Sequence, residues 1–249
     1  MMLKAYFLKL THSPLLYIGF LATLALSLYS INGIHNGGNV FANLDMLISV
    51  ENYRKIFVLF AALPFASNFV DEWNSKTIVN CITRRDTGNY AVSNIVVCYL
   101  SAFAVVFAGM MIYVFVQSTR MPMYDTGSSV PPPYGILCEN GAPMLALILI
   151  VFVYASSCAM WAVMGLAASA FFPSKYIAVC APFVFCYIIE RFSNIFPGEF
   201  QLGPLSKSWS GWAPLPAFLK SNLILLAISV VCGIIFTIKV KRRIENELS

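Results

Sequence analysis

NGAPMLALILIVFVYASSCAMWAVMGLAASAFFPS, residues 140–174, runs for 35 positions without one Asp, Glu, Lys or Arg. A helix needs about 20 mainly apolar residues to cross the hydrocarbon core of a bilayer. This run exceeds that length and places the chain among integral membrane proteins. Working outward, charge is also absent from Ser13–Leu44, Ile56–Val70, Thr87–Thr119, Tyr176–Ile189 and Ser221–Ile238. Only 11% of the 249 residues are charged, 59% are hydrophobic, and mean hydropathy is +0.76. A soluble domain carries roughly a quarter charged residues. Half that charge cannot cover a water-facing surface, so the apolar excess is expected to face lipid.

The pattern predicts an all-α integral membrane fold of six transmembrane helices in one domain, 1–249, with spans at about 14–34, 53–70, 93–117, 143–172, 176–196 and 220–238. Spans two and five rest on the two short blocks and borrow flanking residues such as Tyr53 and Phe192–Phe196. Residues 2–11 read as an amphipathic helix, with Leu3, Tyr6, Phe7 and Leu10 on one face and Lys4 and Lys9 elsewhere. The apolar run behind those lysines is too long for a secretory signal and lacks a small-x-small cleavage site, so it reads as an uncleaved first span.

Basic residues set the orientation. With both termini cytoplasmic, the inner side holds Lys4, Lys9, Lys76, Arg84, Arg85, Lys175, Lys239, Lys241, Arg242 and Arg243. The outer side holds Arg54, Lys55, Arg120, Arg191, Lys207 and Lys220. That excess, dense at Lys239–Arg243, predicts a cytoplasmic tail. Cys138 is then the one cysteine of seven expected outside, which rules out an intrachain extracellular disulfide.

Pro64 and Pro182 fall inside spans two and five, where each removes a backbone hydrogen bond; they are expected to bend their helices and are candidate hinges. Gly19, Thr23 and Ser27 on span one, and Gly165 and Ser169 on span four, are spaced for close helix packing, within the chain or between subunits. Pro131–Pro133 stiffens one outer loop, and Trp209 and Trp212 in the next are expected at headgroup level.

The chemistry carried by the chain is mostly defined by what is missing. There is no GxxxxGK[ST] phosphate loop, no HExxH and no GxSxG, and the only histidines are His12 and His35. A zinc protease is excluded, no metal or cofactor is expected on this chain, and an intramembrane enzyme is disfavoured. Ion-coupled transporters usually place several ionisable residues within their spans. Here only Glu190 and Arg191 qualify, at the outer end of span five, and interfacial anchoring is the expected role for both.

The largest inner loop, residues 71–90, therefore carries the functional reading. Asp71 and Glu72 suit a helix N-terminus, Ile78, Cys81 and Ile82 form a narrow apolar stripe, Arg84 and Arg85 follow, and Gly88-Asn89 ends the helix. A short amphipathic helix of this kind can lie on anionic lipid or dock on a protein. Its residues resemble the type-2 ABC exporter permeases, in which an acid after span two precedes a Thr with apolar neighbours and an Arg-containing stretch. Glu72, Thr77-Ile78, Ile82-Thr83-Arg84, Tyr90 and Ser93 stand in those places. The layout matches as well: the amphipathic N-terminal helix, the tight turn Pro173-Ser174-Lys175 and the long loop before span six. Lys76 departs from the pattern, standing where a Gly is usual before the Thr; no Pro follows Arg84, and Asn94 replaces a frequent Lys.

The resemblance implies a permease subunit without an ATPase of its own, in the cytoplasmic membrane of a prokaryote. Glu72, Thr77, Ile78, Ile82, Arg84 and Arg85 would form the coupling loop that docks on an ABC ATPase subunit. Pro173, Ser174 and Lys175 would be the second contact. ATP and Mg would be used by that partner, a second permease subunit, identical or related, would complete the pair, and no nucleic acid is implied. Family habit points to a peptide or antimicrobial cargo. The competing readings are a substrate-binding subunit of an importer and a membrane immunity or scaffold protein acting by binding alone.

Overall fold

The computed structural model describes residues 2–33, 38–78, 87–125, 133–197, 200–208 and 211–248, and no strand occurs among them. Helices α1 (Met2–Thr11), α2 (Pro14–Gly33), α3 (Val40–Ser49), α4 (Glu51–Ala62) and α5 (Asn68–Asn74) make up the first part. Then come α6 (Thr87–Ser118), α7 (Gly135–Glu139), α8 (Pro143–Phe171), α9 (Lys175–Ser193), α10 (Leu202–Leu205) and α11 (Pro214–Leu248). Four of these, α6, α8, α9 and α11, are long and apolar enough to cross a bilayer. A fifth crossing arises if α1 and α2, bent by 62° at their junction, count as one. The chain has the makeup of an all-helical, multi-pass membrane protein.

The charge-free run that decides the class turns out to be the least lipid-facing. In its most apolar window α8 is 78% buried inside the protein, against 28% for α9 and 33% for α11. It packs on α4, α6, α9 and α11 at once, which is why it is apolar all round. Small residues bring its neighbours close. A Cβ added at Gly165 would stand 2.3 Å from the Pro182 ring and 2.5 Å from the Ala178 carbonyl. The proline inside α9 is therefore packed hard on α8, and α9 continues through it. On the other flank, a Cβ at Gly109 of α6 would meet Thr23 at 2.9 Å. Thr23 and Ser27 are fully buried and bond back to the Gly19 and Thr23 carbonyls at 2.7 and 2.9 Å. Both small-residue stripes serve packing within the chain.

Span two is not one helix. α4 stops at Ala62, residues 63–67 form a turn, and α5 runs only from Asn68 to Asn74. Pro64 has no N–H to give, and its ring would collide with the carbonyl four residues back, that of Phe60. That carbonyl instead accepts from Leu63 at 3.3 Å, and Gly19 of α2 lies against it: a Cβ there would stand at 3.2 Å. Pro64 thus breaks its helix where a bend was expected.

Other boundaries shift modestly. The third span begins at Thr87, so Gly88 and Asn89 lie in its first turn and do not end a preceding helix. The last helix continues for 35 residues, through Lys239 and Arg243. The connection between spans one and two contains α3, whose Val40, Phe41, Leu44, Leu47 and Ile48 are buried. Asn39 caps it by accepting from Ala42 N–H at 2.8 Å, and Val40 N–H bonds the Pro122 carbonyl at 3.0 Å. Cys138, expected to be reachable from outside, is 4% exposed. Burial pushes its thiol pKa up, and the charge of Glu139 adds to that. Pro131 and Trp209 lie outside the described residues, while Trp212 is half exposed with the Lys220 ammonium 4.8 Å above its ring.

Candidate functional site

Three pairs of polar residues at helical spacing, Tyr6/Lys9 on α1, Asn68/Glu72 on α5 and Tyr90/Asn94 on α6, converge at one end of the bundle. Glu72 is their centre and is 6% exposed. Its Oε2 accepts from the Tyr6 hydroxyl at 3.1 Å and the Tyr90 hydroxyl at 2.8 Å. Its Oε1 accepts from Lys9 Nζ at 2.9 Å. Lys9 also donates to Asn68 Oδ1 at 2.5 Å, and Asn68 donates to Asn94 Oδ1 at 2.8 Å. Asn94, which stands where the resembled family often has a Lys, closes the ring by donating to the Tyr90 carbonyl at 3.1 Å. A buried carboxylate is tolerated because every oxygen has a donor. The hub fastens the amphipathic α1, whose Tyr6 and Leu10 are buried, to α5 and α6.

This placement changes what Glu72 can do. Asp71 and Glu72 sit in the middle of α5, not at the start of a coupling helix, and the Glu72 carboxylate points inward. α5 ends at Asn74; Lys76 N–H bonds the Trp73 carbonyl at 3.1 Å, and helix resumes at Thr77. The tip Asn74–Thr77 is exposed, whereas Ile78 is 3% exposed. Lys76 takes φ +54°, a left-handed backbone that glycine adopts freely and a side chain resists. The resembled family's usual Gly and this conformation coincide at one position. Ile82, Arg84, Arg85 and Cys81 lie outside the described residues.

The second candidate contact joins the first. Lys175, after Pro173 and Ser174, pairs with Asp71 at 2.5 Å, although both are substantially exposed. The tail of α11 covers the same end. Arg243 donates to the Phe171 carbonyl at 2.5 Å and stands 5.5 Å from the Trp73 ring, and Lys239 lies 4.8 Å over the Phe171 ring. Turn 173–175, tip 74–77 and the basic tail form one surface from three distant parts of the chain.

A second polar cluster, at the opposite end, is absent from the sequence-based site. Arg54 Nη2 donates to Glu190 Oε2 at 2.6 Å, with side chains only 14% and 9% exposed. Lys55 is buried between Glu51, its ion-pair partner, and the Tyr187 ring at 3.7 Å. Its hydrogen bond holds the Glu51 carboxyl below the usual pKa. Arg191 reaches Glu51 at 4.0 Å. Lys207 bonds Asp45 at 3.4 Å and also Ser49; burial lowers its pKa and Asp45 opposes that. Glu190 is therefore a buried partner and not an interfacial anchor. The signal was present: Arg54 and Lys55 begin an otherwise charge-free span, and ionisable residues at such places are costly unless paired.

No protein-family model, curated protein or solved structure matches this chain.

Proposed function

We propose that this chain is the membrane permease subunit of an ATP-driven ABC exporter. In this reading it crosses a prokaryotic cytoplasmic membrane six times, with both termini inside. It works with a second permease subunit and with an ABC ATPase subunit that uses Mg and ATP. Six crossings require that α1 with α2, and α4 with its break and α5, each count as one. The expected span, 53–70, would extend about 27 Å if the 63–67 turn keeps the helical rise, close to the roughly 30 Å hydrocarbon core. The observation that carries the reading is the meeting of Lys175 with Asp71, which puts both candidate docking turns on one surface beside a basic tail. The left-handed Lys76 at the tip supports it further.

The role of Glu72 in this mechanism is to position, since its carboxylate is turned away from any partner. ATP-driven closure of the ATPases would push on tip 74–77 and turn 173–175. The hub would pass that push to α1 and α6, and the break at 63–67 would let α5 tilt without dragging α4. Cargo of the peptide or antimicrobial class would follow a path among the spans.

The test is isolation from native membranes in mild detergent. An ATP-hydrolysing subunit is expected to co-purify, and Thr77→Asp with Lys175→Glu should lower its recovery about tenfold, equivalent to 1.4 kcal/mol. Isolation of the permease without any ATPase, or concentrative transport by the reconstituted chain alone without ATP, would refute the reading.

A further inference from the structure

At the end of the bundle opposite the Glu72 hub, a cleft of about 250 Å³ opens between α3, α4, α9 and α10, lined by Ser49, Glu51, Arg54, Glu190, Arg191, Asn194 and Gly203. Its charges do not balance. Arg54, Lys55 and Arg191 share two carboxylates, Glu51 and Glu190. Lys55 is sealed beneath Tyr187, so the excess positive charge falls to the two guanidinium groups that line the cleft. Arg54 Nε is buried and, among the described residues, has no hydrogen-bond partner, a costly state for a charged donor. Arg191 is 64% exposed, 4.0 Å from Glu51 and 6.0 Å from the centre of the Tyr187 ring. Glycine at 203 keeps the wall beside Arg54 thin: even a Cβ there would lie 3.7 Å from Nη1.

An acceptor entering the cleft would neutralise one charge, and a turn of the Arg54 side chain would bring its buried Nε to that acceptor. The two carboxylates already present repel a dianion, so the cleft fits a group carrying a single negative charge. The surroundings indicate what bears that group. The mouth adjoins Phe192, Ile195 and Phe196, exposed by 63%, 81% and 59%, and below them Val184 and Ile188 of α9 are exposed as well. An apolar stripe leading to a cationic cleft has the amphiphilic order of a lipid: chains along the helix, headgroup at its end.

We propose that this cleft binds the phosphodiester headgroup of an anionic membrane lipid, held by Arg54 Nε, Arg191 and the Asn194 amide, with its acyl chains along the exposed face of α9. The site does not depend on the exporter reading, because neither its geometry nor its test involves an ATPase.

Native mass spectrometry of the full chain, released from nanodiscs of equimolar phosphatidylglycerol and phosphatidylethanolamine, tests it. Phosphatidylglycerol, with its net negative charge, is expected to be retained over the zwitterionic lipid. Arg191→Gln and Asn194→Ala, both at exposed positions, should each weaken retention, with the pair lowering it about tenfold. Arg54→Lys keeps the Glu190 ion pair but loses the Nε donor, and should weaken retention without unfolding the protein. Arg120→Gln, which removes an exposed base elsewhere, should leave retention unchanged. Equal retention of both lipids, or an equal loss in Arg120→Gln, would overturn the proposal and leave only diffuse attraction. Displacement of the lipid by an N-acetylated dipeptide at matched concentration, absent with its methyl amide, would overturn it in favour of a peptide-carboxylate site.

Discussion

The two polar clusters hold α4 and α5, the helices on either side of the 63–67 turn, and they do so by different chemistry. Around Glu72 one carboxylate collects two neutral hydroxyls and one ammonium, and the half-exposed Lys9 can return to water if the partner is lost. Around Arg54 the contacts are mostly between full charges, and Arg54, Glu190 and Lys55 are nearly removed from solvent. Buried ion pairs are costly to create and more costly to break singly, whereas hydrogen-bonded hubs lose strength by degrees. The α4 end should therefore fail abruptly when one partner is removed, and the α5 end gradually.

The largest effect is expected from Arg54→Ala, which strands Glu190 beside the apolar face of α9. It should cost about 3–5 kcal/mol of stability in detergent unfolding, with most of that restored in Arg54→Lys. A cost below about 1 kcal/mol would mean that water already screens the pair, and the contrast between the clusters would collapse. Glu72→Gln should cost less, about 1–3 kcal/mol, because an amide oxygen still accepts one of the donors. Its distinctive sign is local: α1 should become accessible to protease while the rest stays folded. Global unfolding with no early loss of α1 would break the comparison from the other side.

The smallest expected effect is a pH dependence confined to the Arg54 end. Glu51 has a folded-state pKa below its ordinary 4.5, first because of its hydrogen bond with Lys55. Its contribution is then present above about pH 4.5 and lost as pH falls through the depressed folded value. Since the Glu51 side chain is 45% exposed, solvent screening keeps that loss small. The acid-side slope of melting temperature should flatten in Glu51→Gln. An unchanged slope would assign acid sensitivity to other carboxylates.

The helices that matter most for the class were legible because charge exclusion is a local signal: the span expected at 143–172 is Pro143–Phe171. Pairings were not legible, because they join residues far apart in sequence. Arg54 and Glu190 are separated by 136 positions and Tyr6 and Glu72 by 66, so no window on the sequence contains both. The surface turn at 173–175 was readable as a break; the tip at 74–77 was not, because one helix was expected to run across it, and the adjacency of the two comes from the way α5 and α9 pack on α8. The burial of Glu72 was not legible for a related reason: an acid near an expected helix start looks exposed until its donors arrive from elsewhere. α3 could have been found from Val40, Phe41, Leu44, Leu47 and Ile48, whose spacing is helical, but it was hidden inside an expected connection.

The length of α11 sets a clearance for whatever approaches the 173–175 turn. Its charge-free part ends at Ile238, yet the helix continues to Leu248, and Val240 and Ile244 keep it packed on the bundle for most of that extension. Only the last turn, residues 245–248, reaches past the packed part, by about 6 Å. Arg243, bonded to the end of α8, braces that turn at its base. A body settling onto this surface meets a low step beside the 173–175 turn, and the step's height is set by one helical turn.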